Sequence, residues 1–151
     1  EDYTFDLGDD VQQWAHIRHN GSEYFVGRRE QSLLVVHKES ATYRTGTVLE
    51  INQPITYLLT YNFWNDVQAQ TEGITLVATQ DRVLWYRVSD ITHKLELYWQ
   101  WVVGNTVTGL THFTVEHKNY LIVSTNQSSH SGLYTLNIYQ FELGAREFWI
   151  A

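Results

Sequence analysis

Cysteine is absent from the 151-residue chain. That excludes disulfides, thiolate metal sites and thiol nucleophiles, while leaving the compartment open. Methionine is absent as well, so a chain opening at Glu1 reads as a processed product or an excised piece; it shows no signal peptide, and one removed beforehand would leave no trace. Proline occurs once and no stretch is of low complexity, so no linker divides the sequence, and its length suits one domain. No apolar run approaches the roughly 18 residues that a membrane-spanning helix needs, and membrane insertion is not expected. Basic side chains number ten against seventeen acidic ones, a formal charge of −7. Such a field opposes a nucleic-acid or anionic-membrane partner. Charged residues make up only 18%, too few for intrinsic disorder.

Aromatic and β-branched residues are plentiful. Six Trp, ten Tyr and six Phe accompany many Val, Ile and Thr, the types that fit a pleated, half-buried surface. Apolar residues alternate at period 2 in Tyr3-Phe5-Leu7, Val83-Trp85-Arg87, Leu95-Leu97-Trp99-Trp101 and Leu133-Thr135-Asn137. No window offers a helical stripe with caps. Short strands with turn signals every 8 to 12 residues make the chain all-β.

Gln13–Val26 and Gly109–Ile122 align without a gap at an offset of 96 residues. Trp14 then falls on Leu110, His16 on His112, Ile17 on Phe113, Tyr24 on Tyr120 and Phe25 on Leu121. A middle copy lies at the midpoint, where Leu58-Leu59-Thr60-Tyr61 leads through an insertion, Asn65–Gly73, to Ile74-Thr75-Leu76-Val77-Ala78. Repeats of about 48 residues follow: residues 9–52, 53–104 and 105–151, with 1–8 as an orphan strand. The first strands are Gln13–His19, Thr56–Phe63 and Gly109–Glu116. The second are Glu23–Arg28, Gly73–Thr79 and Asn119–Thr125. The third are Ser32–Lys38, Arg82–Ser89 and Gly132–Phe141. The fourth are Thr47–Ile51, Leu95–Val102 and Glu147–Ile150. Tyr3–Leu7 reads as one more fourth strand.

Two architectures accommodate four strands per repeat. The β-propeller stacks four-stranded blades around a channel, usually four to eight of them; the β-trefoil uses three such repeats in a chain of this length. Length favours the trefoil, since three blades cannot close a ring and would bare an apolar blade face. The long third strands and the aromatic fourth strand of the middle copy favour the propeller. Gln12-x-Trp14, the kind of motif expected at the end of each trefoil-lectin repeat, occurs once and in a first strand.

Leu97-Tyr98-Trp99-Gln100-Trp101-Val102, then Thr106-Val107-Thr108-Gly109-Leu110-Thr111-His112-Phe113-Thr114-Val115, then Tyr120-Leu121-Ile122-Val123-Ser124 resembles the epilepsy-associated repeat, also called EPTP. There an aromatic strand runs through a connector into a His-Phe-Thr-Ile-like strand and a Tyr-Leu-x-Val-Ala/Ser strand. Trp14–Ile17 with Tyr24–Gly27, and Leu76-Val77-Ala78, match it in the other two copies. Members of that family carry about seven such repeats in a seven-bladed extracellular propeller. The resemblance implies a secreted, non-catalytic protein-binding module. With three repeats, it would be completed by copies of itself, by more chain or by another subunit.

Residues able to carry chemistry are read beside their plain alternatives. Asn20-Gly21-Ser22 and Asn126-Gln127-Ser128 are N-glycosylation sequons in expected turns, although Asn-Gly is also a favoured hairpin turn. His16 and His19 lie three apart on a strand and so point to opposite faces. His16 and His112 are repeat-equivalent, as structural histidines would be, and no zinc spacing occurs; neither a metal nor a cofactor is expected. Asp6, Asp9, Asp10, Asp66, Glu72, Asp81, Asp90 and Glu96 are too scattered to pick out a glycosidase pair. No nucleophile elbow, phosphate loop or triad spacing occurs, so no catalytic residue is assigned. Trp64, Asn65 and Asp66 form the candidate ligand-binding site, an aromatic with polar neighbours in an expected loop; the plain alternative is a Trp folded over its own blade. Trp85, Trp99 and Trp101 read as packing between blades. The competing reading is a sugar-binding trefoil lectin with repeat-equivalent aromatic pockets.

Overall fold

A computed structural model describes residues 10–39, 42–65, 69–116, 118–126, 134–141 and 149–150. Among these there is no helix, and the strands form antiparallel sheets, one per repeat. The first sheet is β1 (Gln13–His19), β2 (Ser22–Arg28), β3 (Ser32–Glu39) and β4 (Thr42–Glu50), paired in chain order. The second is β5 (Tyr57–Asn65), β6 (Gln70–Ala78), β7 (Arg82–Val88) and β8 (Leu95–Val102), again in chain order. The third is built on the hairpin of β9 (Val107–Val115) and β10 (Lys118–Asn126). To it are added β11 (Tyr134–Phe141) and the two-residue β12 (Trp149–Ile150). The expected strand Tyr3–Leu7, and Glu147 and Phe148 of the last one, lie outside the described residues.

The pairing register reproduces the repeat alignment. Trp14 faces Gly27, His16 faces Phe25 and Ile17 faces Tyr24. At the same offset, Leu110 faces Val123, His112 faces Leu121 and Phe113 faces Tyr120. Asn20 and Gly21 make the β1–β2 turn with φ of 47° and 80°, the left-handed pair that a two-residue hairpin needs and that Asn-Gly supplies at least cost.

The second sheet lies between the other two and is buried on both faces. Leu58, Val77, Leu84, Tyr86, Val88 and Leu95 point to the first sheet, where they meet Ile17, Tyr24, Val26, Leu33 and Val35. Ile74, Leu76, Ala78, Val83 and Trp85 point the other way and pack on Val107, Leu110, Leu121 and Val123 of the third. This is why residues 73–78 read as an unbroken run without polar alternation: neither face of β6 meets water. Each buried Leu, Ile or Val there contributes about 1.5–3 kcal/mol. Trp85 and Trp99 are in this packing, as read from the sequence; the side chain of Trp101 is not among those described.

Two expectations are corrected. The insertion at residues 65–73 is strand at both ends, because β5 runs on to Asn65 and β6 begins at Gln70, with Asn62 opposite Gly73, Trp64 opposite Thr71 and Asn65 opposite Gln70; residues 66–68 lie outside the described residues. The fourth strand of the first repeat begins at Thr42 instead of Thr47. A bulge at Val36 keeps β3 and β4 paired back to Glu39 and Thr42. Among the described residues no strand of one repeat joins the ladder of another, whereas a trefoil barrel is built on such pairing.

The first and second sheets approach closely at Gly73. A Cβ there would lie 2.8 Å from Ile17 Cβ and 2.9 Å from the Arg18 carbonyl oxygen. Around this contact the Arg18 N–H donates to Asn62 Oδ1 (2.8 Å) and the Asn20 N–H donates to the Thr71 carbonyl (2.8 Å). Gly73→Ala should therefore cost about 1–3 kcal/mol by forcing β1 from β6, read as a lower urea midpoint. Gly21→Ala meets nothing within 4 Å and should lose only the roughly 1 kcal/mol of its backbone conformation. Equal losses in the two variants would contradict the close-approach account.

Candidate functional site

One rim of the stack gathers the turns between second and third strands and the connectors between repeats. In the first repeat, the connector after β4 hydrogen-bonds to the β2–β3 turn: the Ile51 and Ile55 N–H groups donate to the Gln31 and Glu30 carbonyls (2.9 and 2.8 Å). Arg28 Nη2 donates to the Ile55 carbonyl at 2.6 Å. In the second repeat, the Val103 and Gly104 N–H groups both donate to the Asp81 carbonyl (2.6 and 3.0 Å). In the third, the Asn126 N–H donates to the Thr106 carbonyl at 3.0 Å. The first two repeats share one construction, connector N–H to turn carbonyl, and in the third the connector accepts from the end of β10; in each case a connector satisfies backbone groups while crossing between sheets.

Between these elements lies an open groove of about 490 Å³ lined by Gln53, Gln80, Asp81, Gly104, Asn105, Thr106 and Asn126. The second and third repeats line it, Gln53 standing in the connector that arrives from the first sheet, and its side chains are amides, a hydroxyl and one carboxylate. Asp81 accepts from Arg82 Nε and Nη2 at 3.0 and 3.1 Å and from Thr79 Oγ1 at 3.3 Å. The Arg82 hydrogen bonds hold its carboxyl below the usual carboxylate range. Asp81 is therefore charged and fixed in orientation at neutral pH. Gln53 Oε1 is buried with no hydrogen-bond partner among the described residues. The set suits polar recognition; it pairs no nucleophile with a base.

The opposite rim carries the histidines. His19, 3% exposed, puts Nε2 2.7 Å from Asp90 Oδ1 in the loop after β7. The Tyr24 hydroxyl lies 3.1 Å from His93 Nδ1, and His37 stacks between Tyr24 and His93 with centroids 4.6 and 4.9 Å apart. These contacts tie residues 89–94 of the second sheet to the first. His16 lies on the other face, 3.6 Å from Glu23 Oε1, so the opposite orientation of His16 and His19 is as read. Among the described residues no three His, Asp or Glu are grouped to hold a metal ion. Glu72 is buried and paired with Arg87, whose guanidinium lies over the Tyr98 ring.

The structure separates the candidate residues. Trp64, 55% exposed, is on β5 and not in a loop, at the hairpin end of the second sheet and therefore at the rim opposite the groove. Asn65 is the last residue of β5; its side chain and all of Asp66 lie outside the described residues. Asn20 occupies an exposed turn, as expected, and its N–H is bonded to Thr71, the residue that faces Trp64. Asn126 is the final residue of β10, not a loop residue, and borders the groove. Gln127 and Ser128 of its sequon are outside the described residues. The groove itself went unread in the sequence. Gln80-Asp81 and Gly104-Asn105 were visible as turn residues, but nothing in their spacing brings two turns and two connectors together.

His112, the repeat-equivalent of His16, stacks on Tyr61 of the second sheet with centroids 3.9 Å apart. Burial holds its imidazole below the ordinary value, a hydrogen bond to Asn119 Oδ1 partly offsetting this. A depressed folded pKa means that the unfolded chain takes the proton first. The contribution of His112 is thus complete above pH about 6.5 and is lost as pH falls through the depressed folded value. The urea-midpoint advantage of the natural chain over His112→Phe should hold between pH 7.5 and about 6.5 and shrink as the pH falls from there to 5. An advantage constant across that range would contradict the assignment.

No family model matches the chain, and no curated protein matches it.

Proposed function

We propose that the chain is a non-catalytic, protein-binding module of β-propeller blades that acts outside the cell and receives a partner at the rim groove. The carrying observation is that the β6–β7 turn, the connectors on either side of the second sheet and the end of β10 converge on one groove of polar side chains. Strands in chain order within each sheet, and sheets stacked face to face, support the blade reading. The EPTP-like residues lie on strands of this stack. The neighbours Trp99 and Val107, Leu110, Leu121 and Val123 build the packing between the second and third sheets. A rigid scaffold presenting loops at one rim is a common basis for recognition. The two sequons are in keeping with a secreted glycoprotein, with Asn20 the better-placed acceptor in its exposed turn.

The test is binding of the purified chain to a panel of secreted and cell-surface ectodomains, with a glycan array run in parallel. An ectodomain should bind, and Asn105→Arg or Gln80→Arg in the groove should weaken it tenfold or more. Trp64→Ala on the opposite rim should change it less than twofold. Array binding that Trp64→Ala removes, with no ectodomain bound, would replace this reading with a lectin.

A further inference from the structure

The stack has two ends, and the repeat offset relates each end to its interior. Ile17, Tyr24 and Val26, by which the first sheet packs on the second, are fully buried. Their equivalents 96 residues on are Phe113, Tyr120 and Ile122, which lie on the outer face of the third sheet and are only half-buried. Phe113 and Tyr120 stack there with centroids 5.1 Å apart. Val115 (51% exposed) and Ile138 (39%) share the face, Ile138 being paired with Ile122. Conversely, Leu110 and Leu121, by which the third sheet packs on the second, are buried. Their equivalents Trp14 and Phe25 lie on the outer face of the first sheet, beside Val48, which is 49% exposed. Trp14 lies across Gly27 on this face, 2.9 Å from where a Cβ would stand.

We propose that two copies of this chain join head to tail, the outer face of each third sheet packing on the outer face of the other's first sheet. The proposal rests on the blade reading above. Within one chain, the leading face of each sheet packs on the trailing face of the next, and among the described residues no sheet packs on the remaining leading and trailing faces. A second copy is the occupant because it carries both halves of the joint. Two copies make two identical joints at once, leave neither end open, and bring together six sheets, within the usual range for a ring. The joint is apolar around Trp14, Phe25 and Val48 and charged beyond them, where Arg18 and Lys38 share Glu23 on the first sheet's outer face.

Light scattering on the full chain, eluting from a sizing column at about 100 μM, should give twice 17.7 kDa. Val48→Lys blocks one half of the joint and Val115→Lys with Ile138→Lys the other. All three positions are exposed, so the sheets should still form, as circular dichroism would verify. Each variant alone should run as a monomer, and an equimolar mixture, which restores one joint, should recover a one-to-one pair. A monomeric natural chain overturns the proposal, and so do masses that climb beyond two chains with concentration. A pair that survives Val48→Lys is face-to-face, not head-to-tail, and overturns it equally, as does a mixture that stays monomeric. The reading as a binding module fails separately, through the ectodomain panel, which does not depend on how many chains assemble.

Discussion

Everything between the first two sheets depends on β1 lying close over β6 at Gly73. A side chain at that position would have to displace Ile17 Cβ or the Arg18 carbonyl. With none there, the Arg18 and Asn20 N–H groups come within hydrogen-bonding range of Asn62 and Thr71. As the edge strand of its sheet, β1 has one side of its ladder unpaired, and these bonds satisfy part of it without merging the two sheets. The same seating brings His19 to Asp90 and Tyr24 to His93. The buried cluster on that interface and the aromatic latch at its rim share one spacing.

The second and third sheets meet by a different device. Where β6 has Gly73 opposite Asn62, β10 has Asn119 opposite Thr114, and the approach is filled by side chains instead of backbone. Tyr61 lies flat on His112, and burial pushes the Tyr61 hydroxyl well above its ordinary range. Stacked rings at that distance hold two sheets through dispersion and quadrupole alignment, beyond the area they bury. One interface is thus set by the absence of a side chain and the next by the fit of two large ones. Repeats that align at the level of sequence need not pack alike.

Much of the fold was legible because its determinants are local. Period-2 alternation, the Asn20-Gly21 turn and the matched Ile17–Tyr24 and Phe113–Tyr120 pairs lie within one hairpin each. The hairpin extension around Trp64 was misread because Trp64-Asn65 and Thr71-Glu72 alternate only when seen across the ladder, and polar residues at an exposed strand end look like a loop. The groove was invisible for a stronger reason. Gln53, Gln80, Asn105 and Asn126 are separated by roughly 20 to 30 residues each and meet only once three sheets are stacked. Glu72, one of many scattered carboxylates in the sequence, becomes a buried ion pair only because Arg87 arrives from β7, the neighbouring strand.

The two central strands of the middle sheet, β6 and β7, have almost no surface of their own. Their amides lie under side chains on both sides, so exchange of the Leu76 and Val77 N–H hydrogens with solvent requires at least one neighbouring sheet to lift away. A single repeat cut from the centre would keep its ladder and lose both its walls. Cooperativity in this chain therefore runs across the stack, from sheet to sheet, and the strand ladders on their own carry little of it.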